Sequence, residues 1–156
     1  VSFATKAHRD WPVESFCELS RSLAAGFPGA SFVILGDQAA ADAGRRLQAA
    51  VEGRVILAAG RFDLRQSAAL IGQLELYVGV DTGPTHIAGA LGIPMVALYH
   101  CSYPGRNLVP LDHPACHMIE HPATGSSAAG TQRSMAEIPV ETVHRAAVEL
   151  LERGSW

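Results

Sequence analysis

Short apolar runs of four or five residues alternate along the chain with stretches in which apolar positions recur every three or four residues. The first pattern predicts strands buried on both faces, the second helices laid with one side against a sheet. Val1–Thr5 reads as the end of a strand. Pro12 then opens a helix to about Ala25 with Phe16, Leu19 and Leu23 on one side, and Gly26-Phe27-Pro28-Gly29 stops it. Ser31–Leu35 predicts the next strand, closed by Gly36-Asp37. A helix from about Ala39 to Val51 follows, with Arg45 and Arg46 pointing outward. Arg54–Ala58 is a further strand, ending towards Gly60. Asp63, with Gln66 three residues on, makes a capping box for a helix carrying Leu64, Ala68, Leu70 and Ile71.

The middle of the chain is the most sharply patterned. Leu76–Val80 is an apolar strand, Asp81-Thr82-Gly83 a polar turn, and Pro84 stands where a first helical residue belongs. A short helix then runs to Leu91, Gly92 stops it, Pro94 follows, and Met95–Leu98 is another buried strand. Strand, helix and strand in this order form a unit that crosses over right-handed and makes a parallel sheet. Beyond it come a turn-rich loop, Tyr99–Pro110, a weak strand, Cys116–Ile119, and a stretch from Glu120 to Glu137 rich in Gly, Ser, Thr and Ala, expected to be a long mobile loop. Pro139 opens the last helix, on which Val140, Val143, Ala147, Leu150 and Leu151 share a stripe. About five alternations without an internal repeat predict an α/β domain with a doubly wound parallel sheet.

Composition narrows this picture. The 156 residues suit one domain, and 48% hydrophobic against 17% charged residues excludes a disordered chain. A net charge of −3 gives no general attraction to nucleic acid. No apolar run approaches the roughly 20 residues of a membrane span. Cys17, Cys101 and Cys116 are an odd number without CxxC spacing and read as reduced thiols of a cytoplasmic protein. The chain begins at Val1 inside an apparent strand, which suggests a segment of a longer protein. His8, His100, His113, His117, His121 and His144 lack metal-ligand spacing, so no metal and no cofactor are expected.

The candidate chemistry lies in the central turn. Ligands of parallel sheets sit at the carboxyl ends of strands, beside helix N-termini. Pro84 has no N–H, but the amides of Gly83, Thr85 and His86 are expected to be free in the first helical turn, where the dipole is positive. Gly83 has no side chain to hold a ligand away. A phosphate there would gain charge-assisted hydrogen bonds, each on the order of 1.5–3 kcal/mol. Asp-Thr-Gly also marks aspartic proteases, but those need an all-β setting. Trp11 reads as a packing residue before a base-stacking one, and Arg61, Arg65 and Arg106 as solvated or loop-holding.

The segment Val78–Leu98 resembles the signature of glycosyltransferase family 9, the heptosyltransferases. That signature is an Asp-Ser/Thr-Gly-x-x-His-x-Ala-x-Ala turn and helix, then Gly-x-Pro and an apolar strand; here Asp81, Thr82, Gly83, His86, Ala88, Ala90, Gly92 and Pro94 fill it. Thr5 to Pro12, ending in Asp10-Trp11-Pro12, is similar to the family's interdomain edge. Gly60, Leu64 and Leu70 follow its Gly-x-x-x-Leu-x-x-x-x-x-Leu helix, and Tyr103–Arg106 and Met135–Val143 resemble its next loop and last-helix entry.

The resemblance implies a GT-B architecture, two Rossmann-like domains with the active site between them. Residues 1–156 would be the C-terminal, donor-binding half, Rossmann-like and doubly wound; the acceptor half, with the catalytic carboxylate, lies outside this chain. The implied reaction moves heptose from ADP-heptose to the lipopolysaccharide inner core with inversion, in the cytoplasm and with peripheral contact at the inner membrane. The segment alone would transfer nothing. The resemblance makes Thr5, Arg9, Asp81, Thr82, Gly83, Thr85 and His86 the substrate-binding residues. Thr82, Gly83 and the Thr85 and His86 amides would hold the diphosphate; Asp81 would fix the turn and meet sugar hydroxyls, with His86 close to the sugar-phosphate. Arg9 falls where the family usually has Lys and would neutralise the leaving group.

Three departures stand out. The family's acidic ribose ligand has two counterparts here, Asp37 and Asp42; His100 replaces a usual Gly; and a cysteine-rich stretch is reduced to Cys116. Two rival readings remain: half of an epimerase of the UDP-N-acetylglucosamine 2-epimerase type or another GT-B enzyme, and a non-catalytic nucleotide-binding domain. The first wants a glutamate pair near this turn, and Asp81–Leu91 contains no glutamate.

Overall fold

A computed structural model of the protein describes residues 1, 7–38, 40–51, 54–130 and 132–154. Five strands and five α-helices alternate through it: α1 Val13–Gly26, β1 Phe32–Ile34, α2 Ala40–Ala50, β2 Val55–Leu57, α3 Leu64–Ile71, β3 Tyr77–Val80, α4 Gly83–Ala90, β4 Met95–Tyr99, β5 Cys116–Glu120 and α5 Val140–Arg153. Each strand and helix expected within the described residues is present. Thr5 and most of the expected first strand lie outside the described residues.

Every pairing is parallel. β1 pairs with β2, Phe32 opposite Val55; β3 pairs with β4, Tyr77 opposite Met95; and β4 pairs with β5, Met95 opposite Cys116. In β1, the Phe32 amide and the Ile34 carbonyl bond towards the β2 side. The Val33 carbonyl and the Leu35 amide bond instead to Val1, which therefore lies along the opposite edge of β1.

The alternation of strand side chains sorts the core into two layers. Val78, Val80, Val96 and Leu98 join Ile34, Val55 and the buried faces of α1, α2 and α5, among them Phe16, Leu19, Leu47, Val143, Ala147 and Leu150. Tyr77, Met95, Ala97 and Tyr99 point the other way, onto Ile71 of α3 and Ala88 of α4. The described strands pair as two parallel sheets, β1–β2 and β3–β4–β5, and helices cover both faces, as in a doubly wound fold. Each side chain of β3 and β4 is fully or nearly fully buried, which explains why both read as unbroken apolar runs.

Local signals behave as the residues dictate. Both halves of the Asp63–Gln66 capping box are made, with the Gln66 amide 2.8 Å from the Asp63 carboxylate and the Asp63 amide 3.0 Å from the Gln66 side chain. Gly92 follows α4 at φ 69°, the left-handed conformation a helix stop favours. Trp11 is wholly buried, its indole N–H donating to the Ile138 carbonyl at 3.1 Å, so it packs as expected. Residues 121–130 and 132–134 run mostly through turns and bends, followed by a 3-10 turn, Met135–Glu137, capped by the Ser134 hydroxyl.

Candidate functional site

The carboxyl end of β3 delivers Asp81 to the start of α4, and a 3-10 turn, Ala7–Arg9, brings Arg9 against it. One guanidinium nitrogen, Nη2, donates to the Asp81 carbonyl at 3.0 Å and also to its carboxylate oxygen Oδ2. The second carboxylate oxygen lies 3.2 Å from Nε2 of His86, one turn into the helix. Asp81 is 11% exposed and Arg9 22%, while His86, at 52%, faces outward. Among the described residues, Arg9 uses only Nη2 in hydrogen bonds, which leaves Nε and Nη1 for another acceptor. The Tyr103 ring lies under the guanidinium, 4.6 Å from Cζ to the ring centre, so the loop after β4 also fixes this cation.

The turn is held from beneath. Thr85 is fully buried, and its hydroxyl donates to the Val80 carbonyl while accepting from the Tyr77 hydroxyl at 2.9 Å. Thr82, the helix N-cap, is extended, and its hydroxyl donates to Val80 at 3.3 Å rather than capping the helix. Gly83 is exposed, and a Cβ built on it would meet nothing within 4 Å.

This geometry corrects one expectation. The Thr85 and His86 amides are not bare: both donate to the Thr82 carbonyl, at 3.0 and 3.3 Å. The His86 amide is the one that makes the first bond of an α-helix whose N-cap is Thr82, and Thr85 shares that carbonyl through a tighter turn. Together with its buried hydroxyl, this makes Thr85 a residue that shapes the turn from within. Among the described residues no partner is found for the Gly83 amide, two positions on from Asp81, which Arg9 and His86 both contact. The structure thus brings Arg9, Asp81 and His86 together, with Thr82 and Gly83 in the turn between the last two. Thr5 lies outside the described residues.

Of the two candidate ribose ligands, Asp37 accepts from the Ala40 amide at 3.3 Å at the start of α2. Asp42 is exposed and paired with Arg45. Tyr103 and the direct grip of Arg9 on Asp81 were not visible in the sequence, since neither contact is local and nothing in the pattern joins those segments.

Elsewhere, a cavity of about 820 Å³ opens at the opposite, amino-terminal ends of the strands, lined by Leu19, Leu23, Phe27, Phe32, Leu74 and Leu151 among others. Among the described residues its lining holds Glu75 and Gln73 but no Lys, Arg or His side chain. Among the described residues, no three His, Cys, Asp or Glu side chains converge as a metal ion needs. No helix among them is long and apolar enough to cross a membrane.

Comparison with known proteins gives these observations a context. The model of glycosyltransferase family 9 (heptosyltransferase) matches residues 2–132. The lipopolysaccharide core heptosyltransferase OpsX of Haemophilus influenzae is 27% identical over 103 residues, which are 66% of this chain and 30% of that protein. Among solved structures, a family 9 glycosyltransferase from Veillonella parvula superposes with a TM-score of 0.81 at 24% identity, over 98% of this chain and 46% of its own. The ADP-heptose lipopolysaccharide heptosyltransferase II of E. coli gives 0.79 at 26% identity, over 97% and 44%. The chain thus spans less than half the length of each of these proteins.

Proposed function

Since the chain belongs to glycosyltransferase family 9, we propose that it is the donor-binding half of an enzyme that transfers heptose from ADP-heptose to the inner core of lipopolysaccharide. The observation that carries this reading is the cluster of Arg9, Asp81 and His86 at the turn that carries the Gly83 amide, at the carboxyl end of a parallel strand. A diphosphate is the ligand whose oxygens the donors of this cluster suit. Two of the guanidinium nitrogens, the exposed His86 imidazole and the Gly83 amide supply donors, and the dipole of α4 adds positive potential. That the E. coli relative is a transferase of ADP-heptose supports this donor for the present chain.

The chemistry follows from charge development. An acceptor hydroxyl attacks the anomeric carbon from the face opposite the diphosphate. The new carbon–oxygen bond forms as the sugar–phosphate bond breaks, so the sugar centre inverts. Negative charge accumulates on the departing phosphate oxygens, and donors already fixed towards them lower the barrier without reorganising. Arg9 is fixed in this sense, because Asp81 holds one edge of its guanidinium and Tyr103 supports its plane. The Asp81 carboxylate oxygens, one bonded to Arg9 and the other beside His86, keep lone pairs that would accept from sugar hydroxyls. The base that takes the acceptor proton, and the lipid acceptor itself, belong to a first domain outside this chain. On this reading the reaction takes place at the cytoplasmic face of the inner membrane, where a nucleotide-sugar donor would meet a lipid acceptor.

Titration of the protein with ADP, UDP and NAD tests the reading. ADP should bind most tightly and UDP weakly. Preference for UDP would favour a UDP-sugar enzyme instead, and transfer by this chain alone would contradict the two-domain account.

A further inference from the structure

Three imidazoles form a row beside the anion seat. His8 meets His100 edge-on with ring centres 5.5 Å apart, and His100 lies 5.7 Å from His121. His100 and His121 follow the last residues of adjacent strands, β4 and β5, and both are almost completely buried. They make the same pair of bonds. Nδ1 of His100 accepts the Ser102 amide at 3.1 Å, and its Nε2 donates to the Arg133 carbonyl at 3.0 Å. Nδ1 of His121 accepts the Ala123 amide at 3.0 Å, and its Nε2 donates to the Ser134 carbonyl at 3.1 Å. Each ring can make both bonds only as the neutral tautomer with its proton on Nε2.

We propose that His100 and His121 form a double latch that ties residues 133 and 134 to the ends of β4 and β5, and that acid loosens it at His100, where a charged ring keeps its Nε2 bond to the Arg133 carbonyl but loses the Nδ1 bond to Ser102 that fixes its orientation. A proton added to Nδ1 turns an acceptor into a donor aimed at an amide N–H, so the bond is lost and repulsion replaces it. The surroundings of His100 oppose its charge. His8 and His121 flank it, Arg9 adds a full positive charge, and the Cys101 thiol lies 3.9 Å from Nδ1. Beside His121, Glu137 lies 3.6 Å from Nε2 but is itself paired with Arg133 at 3.3 Å. Burial, and after it the neighbouring His121, His8 and Arg9, push the His100 pKa below the usual imidazole value, against the opposing effect of its bond to Arg133. The latch reaches the site through His8, which meets the His100 ring and is followed by the arginine that grips Asp81.

Amide hydrogen exchange on the intact protein tests this. After correction for intrinsic rates, protection at Ser102 should fall by up to about tenfold between about pH 8 and about pH 5.5, while Leu98 within β4 keeps its own. His100→Asn supplies an acceptor near Nδ1 that does not titrate, and should abolish the pH dependence at Ser102. Nitrogen shifts of the wild-type rings need no variant and should show both protonated on Nε2 alone at about pH 8. Protection that does not change with pH, protection lost equally at Leu98, or a proton on Nδ1 at the higher pH would each overturn the proposal.

Discussion

Arg9 and Asp81, separated by 72 residues in the chain, are joined twice: Nη2 of the arginine donates to the aspartate's carbonyl and to its carboxylate. The pair fastens the 3-10 turn before α1 to the end of β3, and so builds the cationic wall of the anion seat. In the full-length enzyme, Asp81→Ala should lower transfer at least about tenfold, because it unfixes Arg9 and removes a sugar-facing acceptor. The loss of global stability should be only about 1 kcal/mol or less, since the pair lies partly exposed in a turn. Asp81→Asn keeps an acceptor and should fall between. Initial-rate assays with thermal melts check this; wild-type turnover in the alanine variant would remove Asp81 from the site.

The support beneath the turn should behave in the opposite way. Thr85→Val replaces with a methyl group the buried hydroxyl that bonds both the Val80 carbonyl and the Tyr77 hydroxyl, and should cost about 1–3 kcal/mol of folding stability. Tyr77→Phe removes a single partner and should cost about 1 kcal/mol. Urea midpoints read both. Donor affinity should fall in Thr85→Val only as far as the turn itself shifts, since the hydroxyl is buried away from any ligand.

Two glycines of α4 separate packing from binding. A Cβ at Gly89 would lie 2.3 Å from Pro110, so Gly89→Ala should be destabilising: overpacking of about 1–3 kcal/mol outweighs a propensity gain of about 1 kcal/mol. A Cβ at Gly83 enters open space, so Gly83→Ala should leave the melting temperature nearly unchanged, within about 0.5 kcal/mol. The same methyl group stands where the diphosphate would approach the amide. ADP affinity should therefore drop roughly tenfold or more, the loss of one charge-assisted bond. Calorimetric titration of ADP checks the second claim, and thermal melts the first.

His100 sets the sign of one pH dependence. Its folded pKa lies below the unfolded value of about 6.5, so the unfolded chain binds more protons in acid. The stability this neutral ring contributes is complete above about pH 6.5 and declines as pH falls below it. Urea midpoints measured at about pH 7.5 and about pH 5.5 should show the decline in wild type and a smaller one in His100→Asn. A wild-type midpoint that rises in acid would contradict it.

The elements legible from the sequence were those fixed by neighbours in the chain. The Asp63–Gln66 box, the Gly92 stop and the apolar runs of β3 and β4 each depend on residues a few positions apart, and each is present. Tyr99, expected to open a loop, instead ends β4, because its ring packs into the α3–α4 layer and its backbone continues the ladder to Glu120. The Thr85 and His86 amides differ from the expectation for a geometric reason. Counting unsatisfied donors from Pro84 overlooks the N-cap carbonyl of Thr82, which takes both the Thr85 and the His86 N–H. Arg9, Tyr103 and the His8–His100–His121 row meet only through the fold, so no spacing in the chain announces them.

The anion seat claims that a nucleotide diphosphate meets the Gly83 amide beside Arg9 and His86. Titrating the isotopically labelled protein with ADP while following its amide resonances asks this directly. The account predicts that Gly83 and its turn shift most, with side-chain signals of Arg9 and His86 moving at the same ADP concentrations. Shifts confined to Gly26–Val33 and Gln73–Leu76, around the cavity at the other end of the strands, or no saturable shift at Gly83, would contradict it.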